Sequence, residues 1–189
     1  MAPRYKYLFG PVHSRRMGLS LGIDLVPAKT CSFNCPFCQA GVTTCLTIRR
    51  RAYVPARKVI AELEDWIRRG GRADFITLAG AGEPTLHSGF GVILKAIKRR
   101  RRFKTALLSN GSLFSLPAVR RAALAADIVK VSLSAWDQES FRRINRGALP
   151  LAFDRMVDGL KCFRRKYRGT FWLEVFVVAG LNDRAAAMG

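Results

Sequence analysis

Three cysteines fall close together in Cys31-Ser-Phe-Asn-Cys35-Pro-Phe-Cys38. Thiolates this near one another converge on a metal or a cluster, and as soft ligands they suit zinc or iron–sulfur. Three protein thiolates on a four-iron cluster leave one iron open, much as a catalytic zinc keeps an open position. Cys45 follows in the same stretch. As a fourth ligand it would make a closed structural zinc or an electron-transfer cluster, and the spacing leaves both arrangements open.

Other polar groups stand where apolar runs end. In Ala81-Gly82-Glu83-Pro84 a glycine permits close backbone approach beside a carboxylate, although such a stretch also reads as a plain turn. Ser109 and Asn110 close another run, and Asn110-Gly111 is an ordinary turn dipeptide. Ser132 and Ser134 occupy alternate positions, which ligand or solvent would equally suit. His13 and His87 have no partner motif and read as non-catalytic. Met17 and Met156 read as packing, and Cys162, between Leu160 and Phe163, as a small buried residue.

The elements that hold these groups alternate. Strand-like runs are expected at Leu19–Leu25, Phe75–Ala79, Thr105–Leu108, Ile128–Leu133 and Phe171–Val178. Helical patterns begin at Pro55, Phe90 and Pro117, cover Asp137–Asn145, and run from Phe153 through Phe163. Strand–helix alternation predicts parallel strands joined by right-handed crossovers. A doubly wound sheet and a barrel both fit this order. The polar or glycine-rich end of every strand favours a barrel-like sheet, whose chemistry sits at the C-terminal ends of its strands.

The 189 residues, 49% hydrophobic, fit one domain over residues 1–189 with a real core. No apolar stretch is long enough to cross a bilayer, so no membrane partner is expected. The basic start lacks a following apolar segment, which argues against a secretory signal and for the cytoplasm. Five cysteines, three of them clustered, do not form a disulfide framework. The balance of 33 Lys+Arg against 13 Asp+Glu, net +20, favours an anionic partner such as RNA, although no RNA-binding module signature accompanies it.

Cys-x3-Cys-x2-Cys with Phe37 before the last cysteine resembles the signature of the radical SAM superfamily. The loop after the first strand, Ala81-Gly82-Glu83-Pro84 after the second, Ser109-Asn110-Gly111 after the third and Val131-Ser132-Leu133-Ser134 at the fourth match that family in order. Within it, the opening Tyr7-Leu8-Phe9-Gly10-Pro11-Val12, Tyr53-Val54-Pro55 and Phe141-Arg142-Arg143-Ile144-Asn145-Arg146 are similar to uncharacterised Fe–S oxidoreductases. These in turn resemble the core of the wybutosine-synthesis enzymes that act on tRNA. The second cysteine cluster that some of those enzymes carry is not found here.

The resemblance implies a partial (β/α)6 TIM-like barrel with about five strands in this chain, the last strand lacking at the C-terminus. Two expectations follow from that: the chain is truncated, or a partner chain or dimer completes the sheet. It implies a 4Fe–4S cluster on Cys31, Cys35 and Cys38, and S-adenosylmethionine (SAM) chelated to the open iron. Gly82, Glu83, Ser109, Asn110, Ser132 and Ser134 become candidate SAM contacts. An external one-electron donor of flavodoxin or ferredoxin type would drive reductive cleavage of SAM to a 5′-deoxyadenosyl radical acting on an unknown substrate, with tRNA in view. The alternative from another class is a non-catalytic iron–sulfur or zinc protein that binds RNA through its basic surface.

Overall fold

A computed structural model describes residues 4–183. In chain order it contains strands β1 (Leu8–Ser14), β2 (Gly18–Ile23), β3 (Thr30–Cys31) and β4 (Cys45–Leu46), helix α1 (Ala56–Arg68) and strand β5 (Phe75–Leu78). Helix α2 (Phe90–Arg99), β6 (Lys104–Ser109), α3 (Pro117–Ala123), β7 (Ile128–Ser132), α4 (Gln138–Asn145), α5 (Phe153–Lys166) and β8 (Thr170–Glu174) follow.

The main sheet has the order β1-β2-β5-β6-β7-β8. From β2 to β8 every pairing is parallel, and the strands lie side by side in chain order. A doubly wound sheet would reverse direction at a switch point. This one does not, which is the partial-barrel arrangement. Curvature shows in the ion pair between Arg16, just before β2, and Glu174 at the end of β8, 3.3 Å apart.

Alternation along the strands sorts the two faces. Leu21, Ile23, Ile76, Leu78, Leu107, Val129 and Val131 join the main core with the helices. Phe75, Ala106 and Ile128 face the other way and form a small apolar plug with Met17 and Trp172. Met17 and Met156 are thus packing residues, as expected.

Three expectations needed correction. β1 is a sixth strand, antiparallel to β2, that the sequence reading missed. Gly10-Pro11 interrupts it and its register shifts between Phe9 and Val12; proline is tolerated because β1 is an edge strand. The last strand ends at Glu174 rather than Val178, because the Phe176 amide turns to the Ser134 hydroxyl at 3.0 Å. Cys162 is exposed. At about 100° per residue it points away from the Met156, Leu160 and Phe163 face of α5. Residues 184–189, at the C-terminus where the last strand was expected to be lacking, lie outside the described residues.

His87 is fully buried. Its Nδ1 accepts from the Gly89 amide at 3.0 Å and its Nε2 faces the Val54 carbonyl at 2.7 Å, so the neutral ring is the bound form. Burial pushes its pKa down, and Arg50 adds to this. The unfolded chain therefore takes up this proton first. The contribution of His87 to stability is complete above about pH 6.5, the ordinary histidine value, and is lost as pH drops below it. Urea midpoints at pH 7.5 and 5.5 should show this loss in the native chain and less of it in His87→Gln. An equal loss in both would refute the assignment.

Candidate functional site

The cysteine loop lies across the C-terminal ends of β2, β5 and β6, and backbone bonds tie it there. Lys29 N–H donates to the Ala81 carbonyl at 2.8 Å, and Glu83 N–H donates to the Thr30 carbonyl at 3.1 Å. This seam explains Gly82: a Cβ there would stand 2.2 Å from the Thr30 carbonyl oxygen. A second seam joins the loop to the end of α4, where Asn34 N–H donates to the Asn145 carbonyl at 3.0 Å. Ala148 N–H likewise donates to the Ser32 carbonyl at 2.9 Å.

Each of the three sulfurs meets a nitrogen donor. The Asn110 amide and the Phe33 N–H each lie 3.5 Å from Cys31 Sγ. The Asn145 amide lies 3.5 Å from Cys35 Sγ, and Lys29 Nζ 3.9 Å from Cys38 Sγ. N–H donors of this kind favour sulfur in its thiolate or metal-bound form and tune a cluster's potential. Without a metal Cys31 and Cys35 hold their protons. Burial pushes Cys31 up to about 12, with Glu83 adding to the effect, and burial also raises Cys35. A metal must displace those protons to bind.

Cys45 stands apart. β3 and β4 run parallel with Thr30 opposite Cys45 and Cys31 opposite Leu46. Successive residues of a strand point to opposite faces, so Cys45 projects away from the face that Cys31 presents. Among the described residues, no three His, Cys, Asp or Glu side chains are placed to hold a single metal ion.

Glu83 is buried at the centre of the supporting shell. Its Oε1 accepts from Thr85 N–H at 3.0 Å, from the Thr85 hydroxyl at 2.5 Å and from the Ser109 hydroxyl at 2.8 Å. Its Oε2 accepts from Asn110 N–H at 2.8 Å. Burial pushes its pKa up, and all four donors oppose that shift. Glu83 therefore couples the end of β5 to the end of β6. The Asn110 side chain extends the link: its amide donates to the Ser32 hydroxyl at 2.9 Å and its carbonyl accepts from Ser112 N–H at 3.0 Å. Gly111 makes this turn at φ 79°, a conformation that suits glycine.

The structure thus brings Gly82, Glu83, Ser109 and Asn110 together around Cys31. Ser132 and Ser134 lie further along the sheet. The Ser132 hydroxyl accepts from Lys130 Nζ at 3.2 Å, and the buried Ser134 hydroxyl accepts the Phe176 amide. Lys130 also pairs with Glu174 at 2.5 Å. Two features escaped the reading of the residues one by one. Asn145 had stood only as part of a motif, and nothing local marks its amide as a partner of Cys35. Phe37 stacks on Phe176 with ring centroids 5.0 Å apart, a contact between segments far apart in sequence.

Residues 25–188 match the family model described as the radical SAM superfamily. The chain is 39% identical over 178 residues to a protein named GTPase Obg of Brachyspira hyodysenteriae, covering 94% of this chain and 26% of that one. It is 34% identical to a UPF0026 protein of Synechocystis sp., covering 94% of this chain and 67% of that protein. It therefore spans only about a quarter of the first relative's length. Among solved structures, TYW1 with a lysine–pyruvate adduct bound superposes with a TM-score of 0.60 at 20% identity, over 89% of this chain and 59% of that one. The anSMEcpe enzyme with bound AdoMet gives 0.57 at 16% identity, over 82% and 42%. At these identities the structures establish the shared fold.

The chain belongs to the radical SAM superfamily. Members of that family are enzymes that bind a 4Fe–4S cluster and SAM and draw an electron from an external donor. No helix among the described residues is long and apolar enough to cross a membrane.

Proposed function

We propose that Cys31, Cys35 and Cys38 hold a 4Fe–4S cluster, and that the chain uses it to cleave SAM reductively and start radical chemistry on an anionic substrate. The observation that carries this reading is the cysteine loop itself. Three thiols lie at the C-terminal ends of the strands, each beside a nitrogen donor, with Cys45 turned to the other face. This donor set suits a cluster with one iron free of protein ligands.

When loaded and reduced by a flavodoxin- or ferredoxin-type donor, the cluster supplies the electron that splits SAM into methionine and a hydrogen-abstracting 5′-deoxyadenosyl radical. The protein orients and encloses the reactants. Gly82 keeps the backbone close to the loop, and Glu83 with Ser109 fixes where Asn110 stands. Asn110, Ser132 and Ser134 are the polar groups we assign to SAM from the adjoining strand ends. The net charge of +20 favours an anionic substrate, tRNA or a phosphorylated metabolite. We also assign residues 1–189 to one radical SAM core, whose sheet is completed beyond the exposed β8 edge by a further strand or partner chain. Leu173 there is 55% exposed, and an uncovered edge invites pairing.

Anaerobic reconstitution with iron and sulfide, followed by a 5′-deoxyadenosine assay under dithionite, tests the reading. About four irons with matching sulfide and SAM-dependent 5′-deoxyadenosine are expected. One zinc per chain and no cleavage would overturn it in favour of a structural metal site.

A further inference from the structure

In this fold each crossover helix runs back from the C-terminal end of one strand to the start of another. The ends of α1, α2, α3 and α5 therefore gather at the sheet's N-terminal end, opposite the cysteine loop. Their last turns carry Arg68, then Lys98 and Arg99, then Arg120 and Arg121, then Arg164, Arg165 and Lys166. A helix dipole accounts for a basic residue or two in each last turn. It does not account for the positive charge that continues past the helices at Arg100, Arg101 and Arg102, at Lys104 on the start of β6, and at Arg168.

Part of this charge is used internally. Lys98 pairs with Asp127 at 2.8 Å, Arg100 with Glu64, and Arg68 and Arg69 with Asp65. Arg101, Lys104, Lys166 and Arg168 are exposed and make no ion pair among the described residues. They line two neighbouring clefts. Arg101 and Lys104 border one of about 840 Å³, Lys166 and Arg168 one of about 480 Å³, and Lys98 and Asp127 border both. The acids in these clefts are already engaged. Asp74 accepts the Leu19 amide at 2.8 Å, and Asp127 holds Lys98 and Thr105.

We propose that this end of the barrel is a docking surface for the phosphate backbone of a nucleic acid, separate from the radical site. Unpaired guanidinium and ammonium groups around adjoining clefts offer charge-assisted donors to successive phosphates, and arginine's fork matches phosphate geometry. Concave clefts suit a phosphate ridge better than a flat bilayer. Contacts of this kind position a nucleic acid without reading its bases. The proposal deepens the tRNA reading by naming a surface, and its test does not depend on radical chemistry.

Fluorescence anisotropy of a labelled mixed-sequence RNA hairpin, titrated with the full chain across a salt series, provides that test. The variant Arg101→Gln/Lys104→Gln/Lys166→Gln/Arg168→Gln should lose at least about tenfold in affinity. Its log–log salt slope should shrink by roughly 3, at about 0.7–0.9 per phosphate contact. Its 5′-deoxyadenosine yield should match that of the native chain. A matched control, Arg49→Gln/Arg51→Gln/Arg142→Gln/Arg143→Gln, should bind nearly as the native chain does. Equal losses in both variants would show only bulk charge at work and overturn the assignment. So would absence of hairpin binding at low salt. Tighter binding to phosphatidylglycerol vesicles, lost in the first variant, would assign the surface to a membrane instead. A chain that binds the hairpin as described but cleaves no SAM would leave the surface standing and remove the enzyme reading.

Discussion

Cys38→Ala should bring bound iron well below that of the reconstituted native chain, for which about four per chain is expected, and SAM cleavage to background, while Cys45→Ala should leave both near native. The pair is informative because both residues are exposed cysteines of one loop, so neither replacement opens a core cavity. They differ in direction. Cys38 lies beside the Lys29 ammonium, in a turn closed by its own N–H to the Cys35 carbonyl at 3.2 Å. Cys45 sits opposite Thr30 in the β3–β4 ladder, on the other face from Cys31. A cluster left on two protein thiolates loses one fixed ligand and the geometry that leaves a single iron open. We expect the cleavage rate to fall by at least about a thousandfold, or roughly 4 kcal/mol of barrier at 1.36 kcal/mol per decade. Iron and sulfide analysis with the ultraviolet–visible spectrum, alongside the 5′-deoxyadenosine assay, checks this. Loss of the cluster in Cys45→Ala with retention in Cys38→Ala would reverse the ligand assignment.

The second large effect is on stability. Glu83→Ala removes the acceptor of four hydrogen bonds from a buried site. The Thr85 and Ser109 hydroxyls can turn to other acceptors, but the Thr85 and Asn110 backbone N–H groups cannot. Two orphaned donors at about 1–3 kcal/mol each, plus the void left by the side chain, amount to at least about 3 kcal/mol. For a chain of this size that lowers Tm by roughly 10 °C, at about 2–4 °C per kcal/mol. Asn110 would lose its tether to β5, so the amide that meets Cys31 should also loosen. The thermal melt and the iron retained after reconstitution read the two consequences. A melt within a degree or two of native would mean that water or a rearranged backbone satisfies those donors. Gln at position 83 should fall between, since it keeps one acceptor oxygen but turns an NH2 toward a donor.

How far the residues could be read depended on how local each signal was. The parallel strands β2, β5, β6, β7 and β8 were legible because apolar runs and their turn residues repeat within a few positions. β1 was not, because Gly10-Pro11 breaks its pattern and only pairing with β2 makes it a strand. Cys162 was misjudged from its chain neighbours, whereas its position around α5 is what governs exposure. The cysteine spacing announced metal chemistry but left a closed four-cysteine site open. The β3–β4 register bears on that choice, and register belongs to pairing rather than composition.

By itself, then, the sequence determined the donor chemistry, the alternation of elements and the excess of positive charge, since each is a property of residue type and short spacing. Tertiary structure decided which way each group faces and what it meets. It set Gly82 against the Thr30 carbonyl, Asn110 and Asn145 beside two of the thiols, and Glu83 out of reach of solvent. It also gathered the basic helix ends at the side of the barrel away from the cysteines. The physical reason is common to all of these. A hydrogen bond or an ion pair depends on ångström distances between segments tens of residues apart, and only the packed core, by ordering the strands side by side, brings those segments within reach.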